Sequence, residues 1–220
     1  MDMKPDNILL DNDMMPKITD FGLSRLDEKS QTMSEERLGS RCRSETHTWT
    51  PLPSINRARC ACSGAFMDGK FYVIGGSRGC EVLTCGEEYD LNRRSWRVID
   101  NMSQGLNQTL TGGPLLLAVV NNELYAAGYT ENSDLKQYDK LDNKWTTLGK
   151  LPVQSRKQGW DIRFRACGDR LIVIGRPNNS TGEKVVELHS WTPDEQPPVW
   201  SLVATRPYGG KRIVCAVMGC

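Results

Sequence analysis

Histidine is scarce in this 220-residue chain, with two copies, and the eight cysteines include no C-x-x-C pair. A structural metal site wants Cys or His paired at short spacing, so neither a metal nor a disulfide framework is expected, and the cysteines read as reduced thiols. No apolar run reaches the roughly 18 residues of a membrane-spanning helix. The first residues are acidic and polar where a signal peptide would be basic and then apolar. The expected location is therefore the cytoplasm and/or nucleus, with no membrane partner. An excess of one charge sign is also missing: 28 Lys and Arg face 27 Asp and Glu, for a net charge of +1. Nothing in that balance provides the electrostatic footprint of a nucleic-acid binder. No cofactor is expected.

What is present begins with "MDMKPDNILLDNDMMPKITDFGLSRL". In "D-x-K-P-x-N…D-F-G" one aspartate positions a hydroxyl nucleophile, while an asparagine and the DFG aspartate hold magnesium against phosphates. Here these are Asp2, Asn7 and Asp20, with Lys4 near the transferred phosphate. The stretch resembles the catalytic loop and DFG segment of plant receptor-like protein kinases, over residues 1–41. The histidine before the catalytic aspartate, the Gly-rich loop and the phosphate-gripping lysine of those kinases have no counterpart here, nor does an A-P-E segment follow Arg41. Magnesium ligands without a nucleotide pocket lack the positioning that phosphoryl transfer needs. Residues 1–43 are thus expected to be a truncated kinase segment, poorly packed and catalytically inactive. The alternative is a kinase-like protein carrying out ATP-dependent Ser/Thr phosphorylation.

From residue 44 onward, turn signals recur between short, apolar, β-branched segments, an all-β pattern. "FYVIGG" (71–76), "LYAAGY" (124–129) and "LIVIGR" (171–176) align, each after a turn pair: Asp68-Gly69, Asn121-Asn122 and Gly168-Asp169. The anchoring glycines are Gly75, Gly128 and Gly175, and only the first copy has a second glycine, Gly76. Tryptophans keep the same register at Trp49, Trp96, Trp145 and Trp200. Tyr89 and Tyr138 precede two of them in a "YD…W" pattern, whereas the third copy reads "ELHSW". An unrelated β-sandwich is the plainer alternative, but two landmarks in register favour a repeat.

This Gly, Tyr, Trp order at about 50 residues resembles the kelch repeat. The resemblance implies a mainly β fold, a partial kelch-type β-propeller of about three complete four-stranded blades. The blades are expected at 58–99, 112–148 and 162–203. Residues 44–49 are expected to be the last strand of an earlier blade, and 209–220 a first strand without its hairpin partner. In such blades the glycines permit close backbone approach and the tryptophans wedge between neighbours.

Residues 44–220 resemble the C-terminal half of plant F-box/kelch-repeat proteins, through "CSGAFMDGKFYVIGG", "LTCGEEYD", "FRACGDRLIVIG" and "CAVMGC". That resemblance implies a non-enzymatic substrate receptor of an SCF-type ubiquitin ligase, presenting propeller loops to a protein target. No F-box segment is recognised, so a Skp-type adaptor is not expected to bind, and open blade edges make self-association an expected partner mode. The loop residues Arg57, Arg59, Arg78 and Arg156, with Trp160, are candidates for an acidic partner; plain solvated charge is the alternative. His47 and His189 are expected at edge or solvent positions, not in a catalytic metal centre.

Overall fold

The computed structural model describes residues 8–10, 16–18, 40–43 and 48–207, apart from 107, 109, 111, 130–132, 158, 179–184 and 195, with backbone alone up to Pro51. The kinase-like positions Asp2, Lys4, Asn7 and Asp20, His47 and the strand expected at 209–220 lie outside the described residues. Regular structure among the described residues is entirely β, and no helix is long and apolar enough to cross a membrane.

Two short antiparallel hairpins come first. β1 (Ile8–Leu10) pairs β2 (Pro16–Ile18), and β3 (Ser40–Arg43) pairs β4 (Thr48–Pro51). The second hairpin straddles the boundary expected at 43/44, with Cys42 opposite Trp49. The Trp49 strand thus finds its partner in residues that motif matching had given to the kinase-like segment.

Three antiparallel sheets of propeller-blade topology follow. The first contains β5 (Ser63–Met67) and β6 (Lys70–Ile74). A small hairpin, β7 (Ser77–Arg78) with β8 (Glu81–Val82), interrupts the blade before β9 (Gly86–Asp90) and β10 (Ser95–Ile99) complete it. The second blade is β11 (Leu116–Val120), β12 (Glu123–Ala127), β13 (Asp134–Asp139) and β14 (Lys144–Lys150). In the third, β15 (Val153–Gln154) flanks the end of a four-stranded meander. That meander is β16 (Arg163–Cys167), β17 (Arg170–Pro177), β18 (Val185–Trp191) and β19 (Ser201–Pro207). The last strand thus runs four residues past the expected end at 203.

The first hairpin of each blade turns where the sequence says. Asp68 (φ 52°) and Gly69 (φ 67°) both take positive φ, as do Asn121 (50°) and Asn122 (63°). That is the requirement of a type I′ turn, whose twist matches the flanking strands. In the third blade Gly168 (φ 59°) leads the turn.

Packing explains why "LLLAVV" (115–120) is apolar without alternation. Leu115 and Leu117 pack towards the first blade with Met67, Tyr72, Ile74 and Met102. Leu116, Ala118 and Val120 pack towards the third with Phe164, Leu171, Val173 and Trp191. A strand between two blades is buried on both faces, so the period-2 signal disappears. The outer face of the first blade, Phe71, Val73 and Tyr89, is covered by Leu52 and Ile55.

The wedge tryptophans are tied in a repeating way. Trp96 lies 5.0 Å from Tyr89 between ring centroids, and its Nε1 donates to the Pro53 carbonyl at 2.8 Å. Trp145 lies 5.1 Å from Tyr138, and its Nε1 donates to the Met102 carbonyl at 2.8 Å. The aspartate of each "YD" caps the following turn: Asp90 Oδ1 accepts from the Asn92 and Arg93 amides, and Asp139 Oδ1 from those of Leu141 and Asp142.

In the third copy, Trp191 pairs with Leu171 as Tyr89 pairs with Phe71, and its ring lies 5.9 Å from that of Trp200, tilted by 51°. The tyrosine position is therefore filled by a larger ring, set in "ELHSW" itself. Trp200 Nε1 and His189 Nδ1 are buried with no hydrogen-bond partner among the described residues. His189 is not at an edge: it is buried on β18, with Nε2 2.9 Å from Glu187.

Among the described cysteines all are free thiols; Cys60, Cys80 and Cys167 are exposed, and Cys62 and Cys85 are buried. Burial pushes the Cys62 thiol up to about 11, so it behaves as a small hydrophobe.

Candidate interaction face

Antiparallel up-and-down strands place successive connections at alternating ends of a blade. The two tight turns of each blade therefore share one end. The segments entering each blade and the connections between its second and third strands share the other. Arg57, Arg59, Arg78, Arg156 and Trp160 all lie in this second set, so topology gathers every proposed binding residue onto one face.

Side chains latch the loops of this face together. Gln108 Oε1 accepts from the Gly76 amide at 2.9 Å, and its Nε2 donates to the Ala61 carbonyl at 3.2 Å. Ser63 Oγ donates to the Leu115 carbonyl at 2.6 Å, and Tyr129 Oη to that of Gly113 at 2.9 Å. The Tyr129 ring lies so close to Gly159 that a Cβ there would sit 2.7 Å from it. Tyr129 stands where the first copy has its second glycine, so that departure supplies a latch. Gly75 and Gly76 adopt φ of 65° and 91°, and a Cβ on Gly76 would lie 2.6 Å from the Cys60 carbonyl oxygen. Only glycine fits there. Gly128 and Gly175 lie against Asp134 and Val153 respectively, at 3.0 Å for an added Cβ.

Arg59 does not belong to the accessible set. Its side chain and that of Glu87 are both fully buried, with Nη2 2.8 Å from Oε1. Nη1 donates to the carbonyls of Gly75 and Cys85, each at 2.9 Å. Glu87 in turn accepts from the Asn56 amide at 2.7 Å and the Arg57 amide at 2.9 Å. The entering segment folds over the blade end and drives the guanidinium inward, where the carboxylate and carbonyls satisfy it. Sequence reading missed this because Glu87 belongs to "GEEYD", 28 residues away, and no local signal pairs it with Arg59.

The other four candidates are exposed. Arg57 forms a loose surface pair with Asp100 at 3.6 Å, of little energetic weight. Arg78 and Arg156 are exposed, and Trp160 is 37% exposed. Leu110 and Lys157, which sequence reasoning did not single out, are also exposed here. A shallow depression of about 20 Å³, room for about one water, opens on this face, with Leu106, Leu115, Tyr129, Asp134 and Lys136 in its walls. Lys136 Nζ donates to the Gly105 carbonyl at 2.8 Å. No group of three or more His, Cys, Asp or Glu among the described residues is arranged to hold a metal ion.

Comparison with known proteins agrees with this architecture. A kelch motif matches residues 58–103. F-box/kelch-repeat protein At1g26930 of Arabidopsis thaliana is 45% identical over 188 residues, covering 80% of this chain and 44% of that protein. F-box/kelch-repeat protein SKIP11 of the same plant is 47% identical over 188 residues, covering 80% of this chain and 40% of the relative. The chain thus spans less than half the length of these relatives. A solved structure titled "Structure of YjhT" aligns at 18% identity with a TM-score of 0.48, over 75% of this chain and 57% of that one. Carrying a kelch motif within a partial propeller, the chain is related over most of its length to the F-box/kelch-repeat proteins of Arabidopsis.

Proposed function

We propose that this chain is a non-enzymatic protein-interaction module that holds a protein target on its loop face, as the target-binding part of a substrate receptor for an SCF-type ubiquitin ligase, in the cytoplasm or nucleus. The observation that carries the reading is the latched platform: Gln108 and Ser63 tie loops of the first two blades by hydrogen bonds, and Tyr129 packs from the second blade against Gly159 at the entry to the third. A surface ordered before binding loses less conformational entropy when a partner docks. The relatives' names pair an F-box with kelch repeats, and the ligase part of this reading extends from that pairing.

The test uses the full chain as bait in plant extract, with Trp160→Ala on the loop face and Arg93→Glu on the opposite face. A half-exposed aromatic at the centre of an interface is a typical anchor, worth about 2 kcal/mol or more. The target should be recovered at least about tenfold less by Trp160→Ala and equally by Arg93→Glu. Capture indifferent to the loop-face change would overturn the reading. Skp-type adaptor and cullin should be absent from the captured material.

The same proposal assigns no phosphoryl transfer to the segment containing Asp2, Lys4, Asn7 and Asp20. The 220 residues spell no Gly-rich phosphate loop followed by a strand lysine. With magnesium and labelled ATP, incorporation into the chain or a generic substrate should stay at background. Incorporation abolished by Asp20→Ala would establish the kinase alternative instead.

A further inference from the structure

We propose that residues 211–218, which lie outside the described residues, run as a strand over the face of the third blade turned away from the second, and so cover that face within the chain itself. Register is the first observation. In each blade, alternate residues of the second strand face the blade that follows. Tyr72 and Ile74 are covered by Leu115, Leu117 and Val119 of the second blade. Tyr125 and Ala127 are covered in turn by Ile162, Phe164 and Ala166. The same register in the third blade holds Ile172 and Ile174, because Leu171 and Val173 pack back towards the second. These two isoleucines are only half-buried, where their four counterparts are buried. The outer strands agree. Ile99 and Leu148 pack towards the following blade, whereas Val203, in the same register after its tryptophan, is 59% exposed.

The second observation is the run "RIVCAVMG" (212–219). Its Gly219 recurs about 50 residues after the turn glycine Gly168, the period of the earlier turns. Counted back from that glycine, Ile213, Cys215 and Val217 stand in register with Ile162, Phe164 and Ala166, and with Leu115, Leu117 and Val119. Every position that covers an earlier blade is therefore apolar here too. The reach suffices. Ile213 follows Pro207, the end of β19, by six residues. Six residues extend to about 20 Å, and crossing three strand spacings from the outer strand to the inner one takes about 14 Å. The arginines of β16 do not bar the seat: Arg163 Nη1 donates to the Trp160 and Ile162 carbonyls, and Arg165 Nη1 to that of Phe164. With the heads held there, their stems add apolar surface. A second copy arriving head to tail would have to bring the outer face of its first blade, which Leu52 and Ile55 already cover. The short tether also holds 211–218 at an effective concentration that a free partner does not match.

The experiment follows Cys215 in the full chain. With iodoacetamide under native conditions, peptide mass mapping should show Cys215 alkylated at least about tenfold more slowly than the exposed Cys80 and Cys167. The variants Ile172→Cys and Ile174→Cys, made separately and gently oxidised, give the geometry. In at least one, position 172 or 174 should become linked to Cys215 at monomer mass in non-reducing electrophoresis, and adding Cys215→Ser should abolish the link. Alkylation of Cys215 at the rate of Cys80 would overturn the proposal. So would a link that forms only between chains, which would give the face to a second copy.

Discussion

Glu87→Ala should destabilise the protein by about 3–5 kcal/mol, the range for removing one partner of a buried ion pair. The variant leaves the Arg59 guanidinium without its carboxylate in a site closed to solvent. It also strips the acceptor from the Asn56 and Arg57 amides and unties the segment that covers the first blade. Equilibrium denaturant unfolding followed by circular dichroism measures the loss. The double variant Glu87→Leu/Arg59→Met is the comparison: it removes the unpaired charge and should recover part of the loss, while the Asn56 and Arg57 amides and the Gly75 and Cys85 carbonyls still lose their partners. A single variant that unfolds within about 1 kcal/mol of wild type would mean that water reaches the guanidinium.

Trp191→Ala should be of similar size, about 3–5 kcal/mol, because it empties a fully buried ring site between the second and third blades. Trp191 is 2% exposed, meets Tyr125 edge-on at 6.1 Å and packs at a tilt against Trp200. Trp191→Tyr should be much milder, because tyrosine occupies the same register in the other two blades, at positions 89 and 138. Thermal melts of the two variants give the comparison. If tyrosine were as damaging as alanine, the equivalence of position 191 with 89 and 138 would be wrong.

The architecture was legible because a propeller repeats its local requirements. Asp68-Gly69 and Asn121-Asn122 declare type I′ turns, and Gly75 and Gly76 mark left-handed backbone that favours glycine. These signals act over a few residues, so sequence carries them openly. The candidate site was legible in part. Arg57, Arg78, Arg156 and Trp160 fall on one face, whereas Arg59 left the surface for Glu87, a partner fixed by how a segment folds over a blade end. Trp191 was passed over because the alignment looked for tyrosine chemistry, while the site asks only for a large flat ring. The 43/44 boundary was drawn from motif identity, which says nothing about backbone pairing across it.

The indole bonds of Trp96 and Trp145 bear on how the chain finds its fold. Each reaches a carbonyl 43 residues upstream, in the segment that enters the tryptophan's own blade. Each of the first two blades is thus a loop sealed near its own start, and its last strand does not wait for distant sequence, whereas the Trp200 indole of the third makes no such bond among the described residues. Loop-closure entropy rises slowly with length, by about 0.6 kcal/mol per doubling, and folding speed falls as mean contact separation grows. For an all-β chain of this length, ring closure repeated at one fixed size keeps the search short. The folding rate should therefore scale with the length of one blade, and adding blades would prolong assembly without slowing its elementary step.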